Sequence, residues 1–354
     1  MFLTGIGTAT PPNRFTQRHC WDALAASGHL PSLAPRSQAI LRKVLLGDSG
    51  ICSRYLGLDN LLEAFEMRPD VLDARFARHA PGTAARAAER AMAQAEIGPD
   101  DVDAIVISTC TGYLCPGLSS YVSEQLGLRR DVLALDLVGQ GCGAALPNMR
   151  IGEALIAAGR ARKVLSVCVE ICSAAMYMDD DPGVLISACL FGDGAGAAVL
   201  SAAPDSPQRC VEWKAAGTQL TAADRDQLRF EKRGGMLRNI LSPAVPALAG
   251  FHARKMLDGV LERAEVDREE IQAWILHAGG REILSSIREQ VGISEEDTQW
   301  SARVLREYGN VSSPCVYFVL EAALNGGMPG GYWWMSSFGA GFSCHGALLQ
   351  VSEN

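Results

Sequence analysis

The chain predicts an α/β protein of layered helices and strands, and three observations predict it. Short apolar, β-branched runs recur along its length, amphipathic helical patterns lie between them, and the runs are apolar on both faces. Runs of that kind suit strands covered on both sides rather than half-exposed ones. They fall at 103–109, 132–138, 163–170, 194–202, 273–279, 332–339 and 346–352. The opening MFLTGIGTATPPNRF reads as a first strand closed by a turn at Pro11-Pro12. Helical patterns occupy 81–98, 249–266 and 313–327, the last closing on Gly326-Gly327. The stretch 201–235 is the most polar and least patterned. It predicts two closely packed halves, 1–205 and 206–354, in a chain of 354 residues long enough for a large core.

Composition excludes several function classes. A net charge of −8 argues against general nucleic-acid or anionic-membrane binding, and groups such as Arg42-Lys43 and Arg160–Lys163 read as solvated helix ends. No apolar window reaches the ~18 residues of a membrane span. The N-terminus lacks the basic and apolar regions of a signal peptide, so a cytoplasmic location is expected. Eleven cysteines without CxxC pairs or a Cys/His cluster indicate neither a disulfide framework nor a metal site. Most are expected to be reduced core residues.

Cys142 stands apart. In DLVGQGCGAALPNM an apolar run stops, a thiol sits between Gly141 and Gly143, and an alanine-rich helix begins at once. Glycines there allow a tight turn and close approach to the backbone, and the helix N-terminus favours a thiolate. Pro147 fits the first turn, where N–H groups lack intrahelical partners. Two readings stay open at this point, a nucleophile and a buried core thiol. A nucleophile recruits a base or cation. Among six histidines, His277 is distinctive, at the end of an apolar run and before Ala278-Gly279-Gly280, where α/β sheets place chemistry. A hydrogen-bonded structural histidine is the competing reading. Asn310, after Gly309 and before Ser312-Ser313-Pro314, reads equally as a helix-capping or turn residue.

Together, Cys142 in GQGCGAA, His277 in WILHAGG and Asn310 in YGNVSSPCVYFVLEAA resemble the Cys-His-Asn set of the chalcone/stilbene synthase family, the type III polyketide synthases. GIGTATPP (5–12), STCTGYLCPGLSSYVSEQLGLR (108–129), LFGDGAGAAVL (190–200) and SFGAGFSCHGALL (337–349) resemble further family segments, in order along nearly the whole chain. The resemblance implies a thiolase-like five-layered αβαβα fold of two similar halves, the first with the cysteine and the second with the histidine and asparagine. It implies a homodimer acting on acyl and malonyl thioesters with no metal or redox cofactor. Cys142 would hold the starter as an acyl-enzyme and His277 would pair with its thiolate. His277 and Asn310 would stabilise the enolate formed as malonyl loses CO₂. The extended chain would then cyclise. Phe191 matches an aromatic gatekeeper, with plain core packing as the other reading.

The resemblance also places Cys110, Cys115, Ala175, Leu228, Leu237 and Ser312 at the substrate pocket, and Phe338, Gly339, Ala340 and Gly341 in the cyclisation loop. Leu237 stands where a second gatekeeper phenylalanine is usual, and Cys110 where threonine is common. Ala340 replaces the proline of the family's GFGPG loop, predicting a less rigid loop. Before SGICSRYL (49–56), Asp48 lies where plant members carry coenzyme A-binding cations. Donors are therefore expected either on coenzyme A or on an acyl carrier protein. Two other readings remain: a single-condensation ketosynthase using carrier-bound substrates, and a catalytically silent carrier-binding subunit. The HAGG and VSSPCVYFVLEAA segments favour the polyketide synthase, and an intact triad argues against a silent chain.

Overall fold

The computed structural model describes residues 1–204 and 209–352. In chain order the first half contains β1 (Phe2–Ala9), β2 (Arg14–Thr16), α1 (Gln17–Ala26), α2 (Pro35–Leu46), β3 (Ser53–Tyr55) and α3 (Pro69–Gln94). There follow β4 (Ala104–Ser108), α4 (Leu118–Leu126), β5 (Leu133–Leu137), α5 (Ala145–Ala157), β6 (Lys163–Glu170), α6 (Pro182–Leu190) and β7 (Gly194–Ser201). Then come β8 (Val211–Leu220), β9 (Leu228–Arg233), β10 (Met236–Leu241), α7 (Val245–Ala264), β11 (Ile271–Leu276) and α8 (Arg281–Val291). The chain finishes with α9 (Gln299–Tyr308), α10 (Cys315–Asn325), β12 (Gly331–Gly339) and β13 (Ser343–Val351). The expected boundary at 205/206 lies outside the described residues.

The strand pairing repeats. In the first half, β1 pairs antiparallel with β7, β7 antiparallel with β6, and β6 parallel with β4. In the second, β8 pairs antiparallel with β13, β13 antiparallel with β12, and β12 parallel with β11. The first set gains one further parallel strand, β5. A short β1–β8 pairing, Phe2 opposite Glu212 and Leu3 opposite Val211, joins the two sets edge to edge. Helices α5 and α10 lie between them, touching strands of both halves. Helices α3 and α7 cover the outer faces. This is the α/β, thiolase-like layering the sequence predicts.

The central position of α5 and α10 follows from their sequences. Ala145, Leu146 and Met149 of α5 are fully buried, as are Cys315, Tyr317, Val319 and Ala323 of α10. Apolar side chains buried on several faces need neighbours on more than one side, and strands of both halves supply them. Buried Asn148 is satisfied by the Val106 and Val167 carbonyls, each at 3.0 Å, and by the Ser108 and Ser166 hydroxyls.

Three expectations change. The helix read as starting at Pro81 starts at Pro69 and runs through that proline. Burial of Ala80, Ala84, Ala87, Ala88 and Ala91 against the sheet offsets the lost backbone bond, a cost of ~3 kcal/mol. The polar stretch 201–235 contains the ten-residue strand β8, whose charged Glu212 and Lys214 sit on its less buried face. β5, read as buried, is an edge strand with an exposed face, including Leu133 at 43% and the adjacent Val138 at 62%.

Candidate active site

Cys142 sits in a 3-10 turn, Gly141–Gly143, between β5 and α5. Gly141 has φ +56°, and a Cβ there would lie 2.8 Å from the Ala340 nitrogen. A Cβ on Gly143 would lie 3.1 Å from both the Gly339 nitrogen and the His345 ring. The two glycines are therefore required by the 338–341 loop of the second half, which seats directly on the nucleophile turn.

The elements bearing the other two residues converge on this turn. Ser312 Oγ donates to Cys142 Sγ at 3.3 Å. Ser312 N donates to Asn310 Oδ1 at 2.8 Å, and Asn310 Nδ2 donates to the Gly279 carbonyl at 3.1 Å, two residues beyond His277. A hydrogen-bonded path thus runs from the sulfur to the histidine's own loop. On the other side, His277 meets Phe338 edge-on, with ring centroids 5.1 Å apart. Asn310 is fixed by its backbone as well, bridging Phe191 through Asn310 N to the Leu190 carbonyl and Gly192 N to the Asn310 carbonyl. Ser312 holds φ +57°, an uncommon left-handed geometry for a non-glycine residue that aims its hydroxyl at the thiol.

Burial sets the protonation of both reactive groups. Desolvation pushes the Cys142 thiol up to about 12, opposed by the Ser312 hydrogen bond and reinforced by Glu170. Desolvation alone brings His277 down to about 4, and neither of its ring nitrogens has a hydrogen-bond partner. Burial therefore works against the charged form of both groups, opposing the helix N-terminus, which favours the thiolate.

A cavity with an empty volume of about 730 Å³, open mouth included, lies over Cys142. Cys110, Ala175, Phe191, Leu228, Ser312 and Ala340 line it. His277, Asn310 and Gly341 are not among the lining residues, nor are Phe338 and Gly339, which end β12. Cys115 is exposed, next to a cis proline peptide, and lies off the cavity of its own chain. Leu237 also lies off it. It shares a face of the β9–β10 ribbon with Asn239 but sits two cross-strand pairs further out, opposite Lys232. The aromatic side chain that the ribbon brings to the wall is Phe230, opposite Asn239.

Glu170 was not singled out by sequence, although an acid ending the apolar run KVLSVCVE was a visible signal. It is fully buried. Oε2 accepts from Thr111 Oγ1 at 2.8 Å, Cys110 N at 3.0 Å, Thr111 N at 3.1 Å and Thr109 Oγ1 at 3.2 Å. Oε1 accepts from Ser313 Oγ at 2.6 Å and Cys110 Sγ at 3.3 Å, and at 3.5 Å is a longer alternative acceptor for the single Ser312 proton that Cys142 Sγ takes at 3.3 Å. Desolvation raises its pKa against these hydrogen bonds. His345, grouped by sequence with the ordinary histidines, is buried beside Gly143. Arg150 donates to Thr218 Oγ1, and the same hydroxyl shares a hydrogen bond with His345 Nδ1 at 3.1 Å. Asp48, at the expected coenzyme A cation, is paired with exposed Arg281 at 2.7 Å.

The same constellation has known counterparts. Residues 13–220 match the family model described as FAE1/type III polyketide synthase-like protein, and residues 230–350 match the chalcone and stilbene synthase C-terminal domain. The chain is a member of the type III polyketide synthase family. A 3,5-dihydroxyphenylacetyl-CoA synthase of Amycolatopsis balhimycina is 30% identical, the match covering 98% of this chain and 92% of the relative. One from Streptomyces toyocaensis is 28% identical, covering 98% and 89%. Among solved structures, PKS-I of the brown alga Ectocarpus siliculosus superposes with TM-score 0.89 at 27% identity, covering 98% and 97% of the two chains. The 1,3,6,8-tetrahydroxynaphthalene synthase of Streptomyces coelicolor shares the fold with TM-score 0.89 at 22% identity, over the whole of both chains. This type III polyketide synthase is thus an acyltransferase of the decarboxylative condensing class. No helix among its described residues is long and apolar enough to cross a membrane.

Proposed function

We propose that Cys142, His277 and Asn310 carry the polyketide synthase reaction, on the strength of one observation: the hydrogen-bonded path Cys142–Ser312–Asn310–Gly279 that ends beside His277. The neutral imidazole takes the thiol proton as a thioester arrives. The thiolate attacks the thioester carbonyl, and the carrier thiol leaves with a proton. This stores the starter on sulfur. Asn310 Nδ2 uses one N–H on Gly279 and keeps one for substrate, while both His277 nitrogens are unengaged. Both side chains therefore keep hydrogen-bonding capacity for the malonyl thioester oxygen. When the malonyl C–C bond breaks and CO₂ departs, charge gathers on that oxygen, where fixed donors lower the barrier most. The carbanion forms a bond to the acyl carbon and Cys142 leaves as thiolate. Phe191, Phe230 and Leu228 shape the chamber in which the extended chain folds on itself.

The relatives' names, a dihydroxyphenylacetyl thioester and a tetrahydroxynaphthalene, support small cyclised aromatic products from malonyl-coenzyme A. A second copy of the chain would cover the exposed face of β5 with neighbouring Val138 and Tyr113, Tyr113 being 76% exposed. In that homodimer the exposed Cys115 loop would lie at the interface.

Intact-mass spectrometry with acyl- and malonyl-coenzyme A tests the assignment. Wild type should gain one acyl mass, Cys142→Ala none, and acylation of Cys142→Ala would overturn it. His277→Ala and Asn310→Ala should still bind malonyl-coenzyme A but release CO₂ at least ~10²-fold more slowly.

A further inference from the structure

Outside the reacting groups, the densest charge cluster sits behind the cavity wall and centres on Arg238 of β10. Its guanidinium is only 10% exposed and meets three carboxylates. Nε bonds Asp179 at 2.8 Å, Nη1 bonds Glu231 at 3.0 Å, and Nη2 meets Asp181 at 3.2 Å. Each of its three nitrogens thus meets a carboxylate of the protein itself. Arg233 approaches Asp179 only at 3.7 Å and is itself 63% exposed.

The partners belong to different walls of the cavity. Glu231 is the cross-strand neighbour of Arg238 within the β9–β10 ribbon. Asp181 caps α6, accepting from Gly183 N at 2.8 Å, and Asp179 holds Asp181 N at 2.9 Å. The ribbon supplies Leu228, Phe230 and Asn239 to the cavity; α6 supplies Val184, Ser187 and Ala188. Besides the looser Arg233–Asp179 pair, Asn239 Nδ2 donates to Ser187 Oγ across this seam at 3.2 Å.

We propose that Arg238 is a positioning residue that latches the ribbon to α6 and so fixes the width of the chamber, and through it the number of extensions before the chain cyclises. Without the guanidinium, Glu231 keeps Arg229 at 3.2 Å within the ribbon, Asp179 keeps only the exposed Arg233 at 3.7 Å and Asp181 loses its cation, so the ribbon parts from α6. Leu228, Phe230 and Asn239 retreat together because they share one face. A wider chamber accommodates another two-carbon unit before the chain must bend back. Arg238 touches neither the thiol nor the thioester, so loading of Cys142 and malonyl decarboxylation continue.

The inference rests on the polyketide synthase reading of Cys142, and the test separates the two. Wild type, Arg238→Met, Arg238→Lys and Glu231→Gln are incubated with malonyl-coenzyme A. Cys142 acylation and the masses of released products are read from the same samples. Arg238→Met should raise the ratio of longer to main product about fivefold, with acylation preserved. Arg238→Lys should restore part of the wild-type ratio, and Glu231→Gln should move it in the same direction but less. If Arg238→Met does not fold, the other two variants carry the test. Acylated variants with the wild-type product ratio would overturn the latch. Absence of acyl-enzyme in wild type would instead overturn the role of Cys142.

Discussion

Replacing Glu170 separates two ways in which a buried carboxylate can matter. Its oxygens face different kinds of donor. Oε2 receives two backbone N–H groups, from Cys110 and Thr111, which cannot turn away. Oε1 receives only the Ser312 and Ser313 hydroxyls and the Cys110 thiol, and each of these can rotate to accept instead. Glutamine can keep its carbonyl at the Oε2 site and turn its amide toward the rotatable groups. Glu170→Gln should therefore cost only about 1 kcal/mol. Alanine leaves two buried N–H groups and the Thr109 and Thr111 hydroxyls unpaired, so Glu170→Ala should cost about 2–6 kcal/mol, at 1–3 kcal/mol per fixed donor. Chemical denaturation of both variants measures the difference. Glu170 also pushes the Cys142 thiol upward. The glutamine variant should therefore alkylate at Cys142 with an apparent pKa below that of wild type. A glutamine variant as unstable as the alanine variant would refute the division of labour between the two oxygens.

Burial of His345 brings it down to about 4, so the unfolded chain binds its proton from about pH 6.5 downward while the native one does not. Stability attributable to it falls as pH drops through that window, by about 3 kcal/mol. Buried Glu170 and Asp193, whose pKa values are raised, act oppositely, so the measurement is the difference between wild type and His345→Gln. That difference should shrink in the variant's favour toward pH 4. Gly141→Ala must strain a left-handed position and push against the Ala340 nitrogen; it should cost at least about 2 kcal/mol and lower the rate of Cys142 acylation, read by denaturation and mass. Leu228→Gly removes a side chain from the wall and should lengthen products, and an unaltered product profile would contradict its place there. Leu133→Asp places charge on the exposed β5 edge and should convert a dimer to monomer in sedimentation at micromolar concentration.

The strands flanked on both faces were legible because double burial writes continuous apolar runs, as in VLSVCVE of β6. β5 carries the same signature while facing outward, so an apolar run alone does not distinguish a doubly covered strand from an edge strand with an exposed face. β8 was hidden because half-exposed strands mix charge into the pattern. Cys142, His277 and Asn310 were readable through local context, each at the end of an apolar run or beside a glycine turn. The relay through Ser312 was not, because it depends on a left-handed backbone angle and on contacts between residues 170 positions apart. Leu237 was misplaced for a related reason. Position along a strand does not reveal how far a two-stranded ribbon reaches over a chamber, and there Phe230 arrives from the opposite strand.

The seating of residues 338–341 on the cysteine turn has a consequence for synthesis. β13, which follows that loop, is inserted between β8 and β12, so the second half lacks an interior strand until almost every described residue has been made. A nascent chain on the ribosome carries its thiol early but has nothing to press the turn into shape. The contacts of Ala340 and Gly339 with Gly141 and Gly143 thus form only after residues 338–341 have been made.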